Sequence, residues 1–279
     1  MTRSPECQAS TMTEARATAP SQRLLVEERR RLIVEYVESN GRATVEELAS
    51  RFGTSTVTIR NDLETLSRNA IIARSHGGAL PVMQNATSDI PLSIKETRSH
   101  PQKLRIGQAA ARLIKDGETI ILDSGSTTVE IARQIRQMRF ESLTVVTNAL
   151  NIAVELSGLP NIRVMMLGGL LRQTSYSLVG PDAEQALSRI SADRLFLGVD
   201  GLDPDVGVTT PDPLEASLNA LMIRVSRETV AVFDASKLGQ RSLSVITPVQ
   251  ALHTVITDSS ASVEMLDALR AAGVKVMLV

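Results

Sequence analysis

The run Asp123-Ser124-Gly125-Ser126-Thr127-Thr128 follows an apolar stretch, Thr119 to Leu122, and precedes a helical pattern of Val129, Ile131, Ala132 and Ile135. A strand, a small polar loop and a helix start in that order aim backbone amides and hydroxyls at an anion, and the helix dipole adds to the attraction. The same residues could also serve as a plain hydroxyl cap of the helix. The Gly-Lys-Ser/Thr end of a Walker loop is missing and the glycine spacing is not that of a dinucleotide fingerprint, so nucleotide hydrolysis is disfavoured.

Further polar or glycine clusters stand just after apolar runs: Thr147-Asn148, Gly168-Gly169, Asp200-Gly201, and Asp234 with Ser236 and Lys237. Each alone is ordinary, because Gly and Asn end strands and Asp begins turns. Together they predict one crevice at the carboxyl ends of the strands of an open α/β sheet, where ligands bind. The elements that must position them are seven runs: 119 to 122, 143 to 146, 163 to 167, 194 to 199, 229 to 233, 254 to 257 and 274 to 279. Helical patterns separate these runs, which predicts an α/β domain with a mostly parallel sheet over 101–279.

A second set of chemistry-bearing residues lies near the N-terminus. Leu25, Arg29, Leu32, Ile33, Tyr36 and Val37 fall near helical spacing. Thr44 and Glu47 have the spacing of a capping box, and Gly53 permits a sharp turn. Ser55 can cap a third helix carrying Ile59, Leu63 and Leu66 inward. Three helices with a tight turn make a helix-turn-helix, whose third helix enters the major groove. Its first turns offer Ser55, Thr56, Thr58, Arg60 and Asn61. Arg60 suits a guanine or a phosphate and Asn61 an adenine. Residues 71 to 78 predict a short glycine-turned hairpin, the wing, bearing Arg74 and His76. Residues 1–22 read as a disordered tail, 23–80 as the winged helix-turn-helix and 81–100, with Pro81 and Pro91, as a linker.

Composition narrows the classes. A net charge of -1 gives no global positive field, and basic and acidic residues nearly balance over 21–80, so an ordinary three-helix unit with solvated arginines is the competing reading there. Aromatic content of 2% leaves few rings for stacking on single-stranded bases. Cys7 is the sole cysteine, which excludes a disulfide framework and a cysteine zinc site. His76, His100 and His253 have no ligand spacing, so no metal site is expected and His76 reads as a wing residue near phosphate. No run approaches a membrane span and no secretory leader is legible, which predicts a cytoplasmic protein without membrane contact.

Ser55-Thr56-Val57-Thr58-Ile59-Arg60-Asn61-Asp62-Leu63, with Arg74-Ser75-His76-Gly77-Gly78-Ala79, resembles the DeoR family of bacterial regulators. The resemblance continues through Ile121 to Thr128, Leu167-Gly168-Gly169, Leu195 to Gly201 and Phe233-Asp234-Ala235-Ser236-Lys237, and so covers nearly everything from Leu24 to Val279. Arg60-Asn61, where members commonly show two arginines, is similar to the N-acetylgalactosamine-pathway branch. The resemblance implies a sensor domain folded like ribose-5-phosphate isomerase and a phosphorylated sugar as effector, with no other cofactor. Ser124 to Thr128 would hold phosphate, and Asp200, Glu215, Asp234 and Lys237 would face the sugar. Arg172 is a candidate cationic contact or a surface charge.

Three functional classes remain. The first is a repressor that grips double-stranded operator DNA as a homodimer or homotetramer and is released by a sugar phosphate. The second is a sugar-phosphate isomerase with a DNA-binding appendage, in which Asp200 or Glu215 would be the base. Gly207-Val208-Thr209-Thr210-Pro211 lacks the lysine and glycine-rich loop that such isomerases use there, so catalysis is not expected. The third is a sugar-binding protein with an inert winged helix.

Overall fold

The computed structural model describes residues 25–68, 71–81 and 89–279. The expected tail at 1–22 lies outside the described residues. The described residues open with α1 (Val26–Asn40), the short strand β1 (Ala43–Thr44), α2 (Val45–Arg51) and α3 (Thr56–Arg68), followed by the hairpin β2 (Ile72–Ser75) and β3 (Gly78–Pro81). Sheet order β1-β3-β2 makes a three-stranded antiparallel wing. The capping box forms, with the Glu47 amide donating to Thr44 Oγ1 (3.1 Å) and the Thr44 amide to Glu47 Oε2 (2.8 Å). Gly53 adopts φ 58° between α2 and α3, a left-handed conformation that glycine takes without strain. Ile33, Val34, Val37, Leu48, Ile59, Leu63 and Leu66 close the core.

The segment read as a linker contains α4 (Leu92–Thr97), and α5 (His100–Ala111) begins before residue 101. A linker would leave its apolar residues in water, whereas Leu92 and Ile94 are both buried. Ile94 lies in the core of the winged helix itself.

Beyond α5 come β4 (Thr119–Leu122), α6 (Ser126–Ile135), β5 (Leu143–Thr147), α7 (Leu150–Leu156), β6 (Ile162–Met166), the hairpin β7 (Leu170–Arg172) and β8 (Ser177–Val179), and α8 (Pro181–Leu187). Then follow β9 (Ala192–Gly198), β10 (Gly201–Asp203), β11 (Gly207–Thr210), α9 (Pro213–Val225), β12 (Ser226–Val232), β13 (Ser244–Thr247), β14 (Thr254–Thr257), α10 (Val263–Ala271) and β15 (Lys275–Leu278). All seven expected runs become strands of one sheet of order β15-β14-β12-β9-β4-β5-β6, and each neighbouring pair is parallel. Alternate residues feed two cores: Ile121, Leu195, Leu197, Ala231 and Val255 on one face, Ile120, Leu122, Phe196, Val230 and Ile256 on the other. From β4 the chain winds outward through β5 and β6, then returns to β9 on the opposite side. The switch point therefore lies between β4 and β9, and the crevice outside their carboxyl ends is where such a sheet accommodates a ligand. Among the described residues no helix is long and apolar enough to cross a membrane.

Candidate functional site

The recognition helix presents Val57, Arg60, Asn61, Glu64 and Arg68 as its exposed stripe, at spacings that follow one helix face. Thr56 and Thr58 are half-buried, and Ser55 is occupied as a cap, accepting from the Thr58 amide at 3.1 Å. Arg74 and His76 are exposed on the wing, and Arg74 Nη1 reaches the carbonyl of Arg60 at 3.5 Å. The orientation of α3 is held by buried Asp62, which accepts from Arg29 Nε (2.6 Å) and Arg30 Nε (3.0 Å) on α1. Sequence reasoning missed that anchor. An aspartate at the start of an Asp-Leu pair reads as surface, and its partners lie more than thirty positions away.

In the α/β domain a buried, charged cavity opens at the switch point. Asp123, Ser124, Gly125, Ser126 and Thr127 line it from the β4–α6 turn, Gly198, Val199 and Asp200 from the end of β9, and Phe233, Asp234 and Lys237 from the end of β12. Thr210, Glu215 and Asn219 close one side, and Lys95 and Lys103 reach in from α4 and α5. Amides in the first turn of a helix lack intrahelical partners, and Ser126 and Thr127 of that turn in α6 line this space. The loop fits against β9 because residue 198 is glycine: a Cβ there would stand 3.1 Å from the Ser124 carbonyl oxygen and 3.3 Å from Asp123 Oδ2.

The cavity's charges are arranged in pairs. Lys95 Nζ meets Asp200 Oδ1 at 2.5 Å, and Thr210 Oγ1 donates to Asp200 Oδ2 at 3.4 Å. Burial alone would raise the Asp200 carboxyl, but the Lys95 ammonium outweighs it and holds the pKa below the ordinary value. The same pairing overcomes burial on the lysine and keeps it above its usual range. Lys103 is different. Burial dominates over the attraction of Asp234, 3.9 Å away, and lowers its pKa to about 8. Burial, reinforced by the nearby Glu215 charge, lifts Asp123 well above the carboxylate range despite the Gly198 amide at 3.1 Å. That shift favours protonation of Asp123, which would remove a like charge that repels an anion beside the polar loop. Asn219 Nδ2 approaches Asp123 Oδ2 at 3.5 Å, and its Oδ1 is buried without a hydrogen-bond partner. Lys237 makes no ion pair among the described residues.

Several expected contacts fall elsewhere. Thr128 turns its hydroxyl back to the Gly125 carbonyl (2.9 Å). Thr147 is fully buried, donating to the Leu122 carbonyl at 2.7 Å, and the Asn148 amide group binds the Leu178 carbonyl at 3.4 Å, because the β7–β8 hairpin covers the ends of β5 and β6. Gly169 packs beneath that hairpin, where a Cβ would meet the Val179 carbonyl oxygen at 2.4 Å, and Gly168 does not line the cavity. Gly201 serves close packing too, with the Gln240 carbonyl oxygen 2.5 Å from a would-be Cβ. Arg172 is neither a free cation nor a surface charge: it pairs with Asp89 (2.6 Å), Asp212 (3.0 Å) and Glu215. Glu215 Oε1 in turn accepts from Ser175 and Ser177 (both 2.8 Å), and Oε2 lies 3.2 Å from Thr210 Oγ1, whose one proton it shares with Asp200. Lys95, Lys103, Thr210 and Asn219 escaped sequence reasoning, since no spacing relates them to the loop. Among the described residues no cluster of three or more His, Cys, Asp or Glu is arranged to hold a metal ion.

A winged helix carried on an α/β domain with a buried charged crevice defines the class, a DNA-binding transcription regulator with an attached sensor domain. The description "DeoR C terminal sensor domain" matches residues 98–259, and "DeoR-like helix-turn-helix domain" matches 29–84. The chain belongs to the DeoR family. It is 39% identical over 254 residues to a protein of Escherichia coli O157:H7 named putative aga operon transcriptional repressor, covering 90% of this chain and 93% of that one. It is 36% identical over 254 residues to the HTH-type transcriptional regulator GlpR of Haloferax volcanii, covering 91% and 98%. Among solved structures, ribose 5-phosphate isomerase A of Methanocaldococcus jannaschii shares 18% identity at a TM-score of 0.37 over 50% of this chain and 55% of that one, a likeness too distant to bear on function.

Proposed function

We propose that the chain represses transcription by occupying an operator and that a phosphorylated sugar bound in the switch-point crevice releases it. What carries this reading is one cavity that joins the Ser124–Thr127 loop at the start of α6 to the carboxylates of Asp200 and Asp234 and the ammonium groups of Lys95, Lys103 and Lys237. Amides and lysines suit a phosphate, and buried carboxylates and the Asn219 oxygen suit sugar hydroxyls. The relative named for an aga operon supports an amino-sugar phosphate such as galactosamine 6-phosphate as the first ligand to try, ahead of tagatose, glycerol and deoxyribose phosphates.

Arg60, Asn61, Arg74 and His76 are the exposed groups that would meet DNA, with Val57 able to touch a thymine methyl. One recognition helix reads few base pairs, so the working form is a homodimer or homotetramer in the cytoplasm. Exposed Met165, Met166, Leu170, Leu171 and Tyr176, near the β6 edge of the sheet, supply an apolar surface for that assembly. Catalysis is not part of the reading: Glu215 is tied by Arg172 and by the Ser175 and Ser177 hydroxyls, which leaves it no freedom to act as a base.

Calorimetric titration tests the ligand class. A sugar phosphate should bind the wild type with the free sugar at least a hundredfold weaker, and Ser126→Ala with Thr127→Ala should weaken the phosphate form. Equal affinity for phosphorylated and free sugars would refute the phosphate site. Turnover of any bound sugar phosphate at enzymatic rates would refute the regulator-only reading.

A further inference from the structure

Helix α4 belongs to both halves of the molecule. On one side Ile94 is buried in the winged-helix core, and Arg98, just past the helix end, makes an ion pair with Glu38 of α1 at 3.0 Å and donates from Nη2 to the Ile71 carbonyl at 3.3 Å. On the other side Leu92 lines the crevice and takes its backbone bond from the β7–β8 turn, its amide donating to the Thr174 carbonyl at 2.7 Å. Lys95, one residue after Ile94, reaches into the crevice to Asp200. Lys103 completes the clamp by donating from Nζ to the carbonyls of Lys95 and of Arg98, the latter at 2.7 Å. Six helical residues are thus pinned between a ligand cavity and the helix that orients α3.

The Asp200 side chain is 22% exposed where it lines the crevice, and its ionic partner is Lys95. A half-buried carboxylate still needs its hydrogen bonds, and a polyol hydroxyl is a competent replacement donor, while a ligand phosphate offers Lys95 a competing anion. An occupant of the crevice therefore acts on both members of this pair at once. We propose that Lys95 couples the crevice to the DNA-binding domain: an occupant that takes Asp200 breaks the Lys95–Asp200 pair, α4 shifts, and the seat of α1 on Ile94 and Arg98 changes with it. The inference rests on the reading of the crevice as the effector site. It supplies what that reading needs, a contact present in one state and absent in the other, because a ligand that binds both states equally shifts nothing.

The test uses the full chain and an operator fragment obtained by selection from random DNA, with fluorescence anisotropy for DNA affinity. Lys95→Met should weaken operator binding at least tenfold with no sugar present. Galactosamine 6-phosphate, or whichever sugar phosphate binds the wild type, should then change the remaining affinity less than twofold. Lys95→Arg, which restores the charge, should recover wild-type behaviour, and the exposed Lys275→Met should match the wild type. Hydrogen exchange on the wild type gives an independent reading: the sugar phosphate should speed exchange of the 92–97 amides. Wild-type operator affinity and ligand response in Lys95→Met would overturn the proposal, as would ligand binding with unchanged protection of α4. If no sugar phosphate binds the wild type, the crevice reading fails by itself, and the ligand-free operator affinity of Lys95→Met still decides the coupling.

Discussion

Replacing Asp62 with alanine should loosen the recognition helix without touching its DNA-facing side chains. The Asp62 side chain is 3% exposed and holds Arg29 and Arg30, which are 12% and 23% exposed. Removing one member of a buried ion pair costs about 3–5 kcal/mol when the remaining charge is stranded. Both arginines here keep a path to water, which lowers the expectation to about 2–3 kcal/mol by comparison with exposed pairs. At about 1.4 kcal/mol per factor of ten, exchange of the α3 amides should accelerate by about 30- to 150-fold. Hydrogen exchange with peptide-level mass analysis on the full chain reads this directly, and the sheet amides of β4 and β9 serve as the internal reference. Asp267→Ala, which removes an exposed pair with Arg270 on α10, should leave exchange unchanged. Exchange of α3 in Asp62→Ala within threefold of the wild type would show that the buried pair does not anchor the helix.

Arg60→Ala should weaken operator binding by about 1–3 kcal/mol, and a DNA selection on the Arg60→Ala, Asn61→Ala double variant should return an altered sequence preference. An unchanged affinity and preference would move the reading surface elsewhere. Asp123→Asn mimics the protonated acid and should retain sugar-phosphate affinity within about threefold, since a tenfold change would need about 1.4 kcal/mol. The same variant carries a pH signature. The folded pKa is raised above 3.8, so between 3.8 and the raised value the native state holds a proton that the unfolded chain has lost, and wild-type stability falls as pH rises through that window. Asparagine lacks this slope, so the stability of Asp123→Asn relative to wild type should grow with pH across it in denaturant titrations. A difference that is flat with pH would mean that Asp123 is ionised in the folded protein.

The sheet was legible because each parallel strand is a buried apolar run, and seven runs between helical patterns leave little choice of architecture. The polar loop at 123 to 127 and Asp200 and Asp234 were legible for a related reason: residues that end strands at the switch point must share one crevice. Thr147 and Asn148 follow the same local rule yet lie under the β7–β8 hairpin, and that hairpin's strands are three residues each, too short to show a period. Helix α4 was hidden by its six residues and by flanking prolines, the composition of a linker. What makes it ordered is tertiary: Leu92 and Ile94 are buried against different domains, so neither domain alone gives it a pattern. Glu215 was expected to face the sugar, and it does reach the cavity, but Arg172 and the serines that hold it arrive from a distant hairpin.

An occupied crevice and a bound operator should be mutually unfavourable. Operator affinity measured by anisotropy across a series of sugar phosphates, at fixed salt, tests it most directly. At least one phosphorylated sugar that binds the protein should weaken operator affinity tenfold or more, and the operator should weaken that sugar's affinity by the same factor, because the coupling is reciprocal. A sugar phosphate that binds the crevice tightly and leaves operator affinity unchanged would contradict the account.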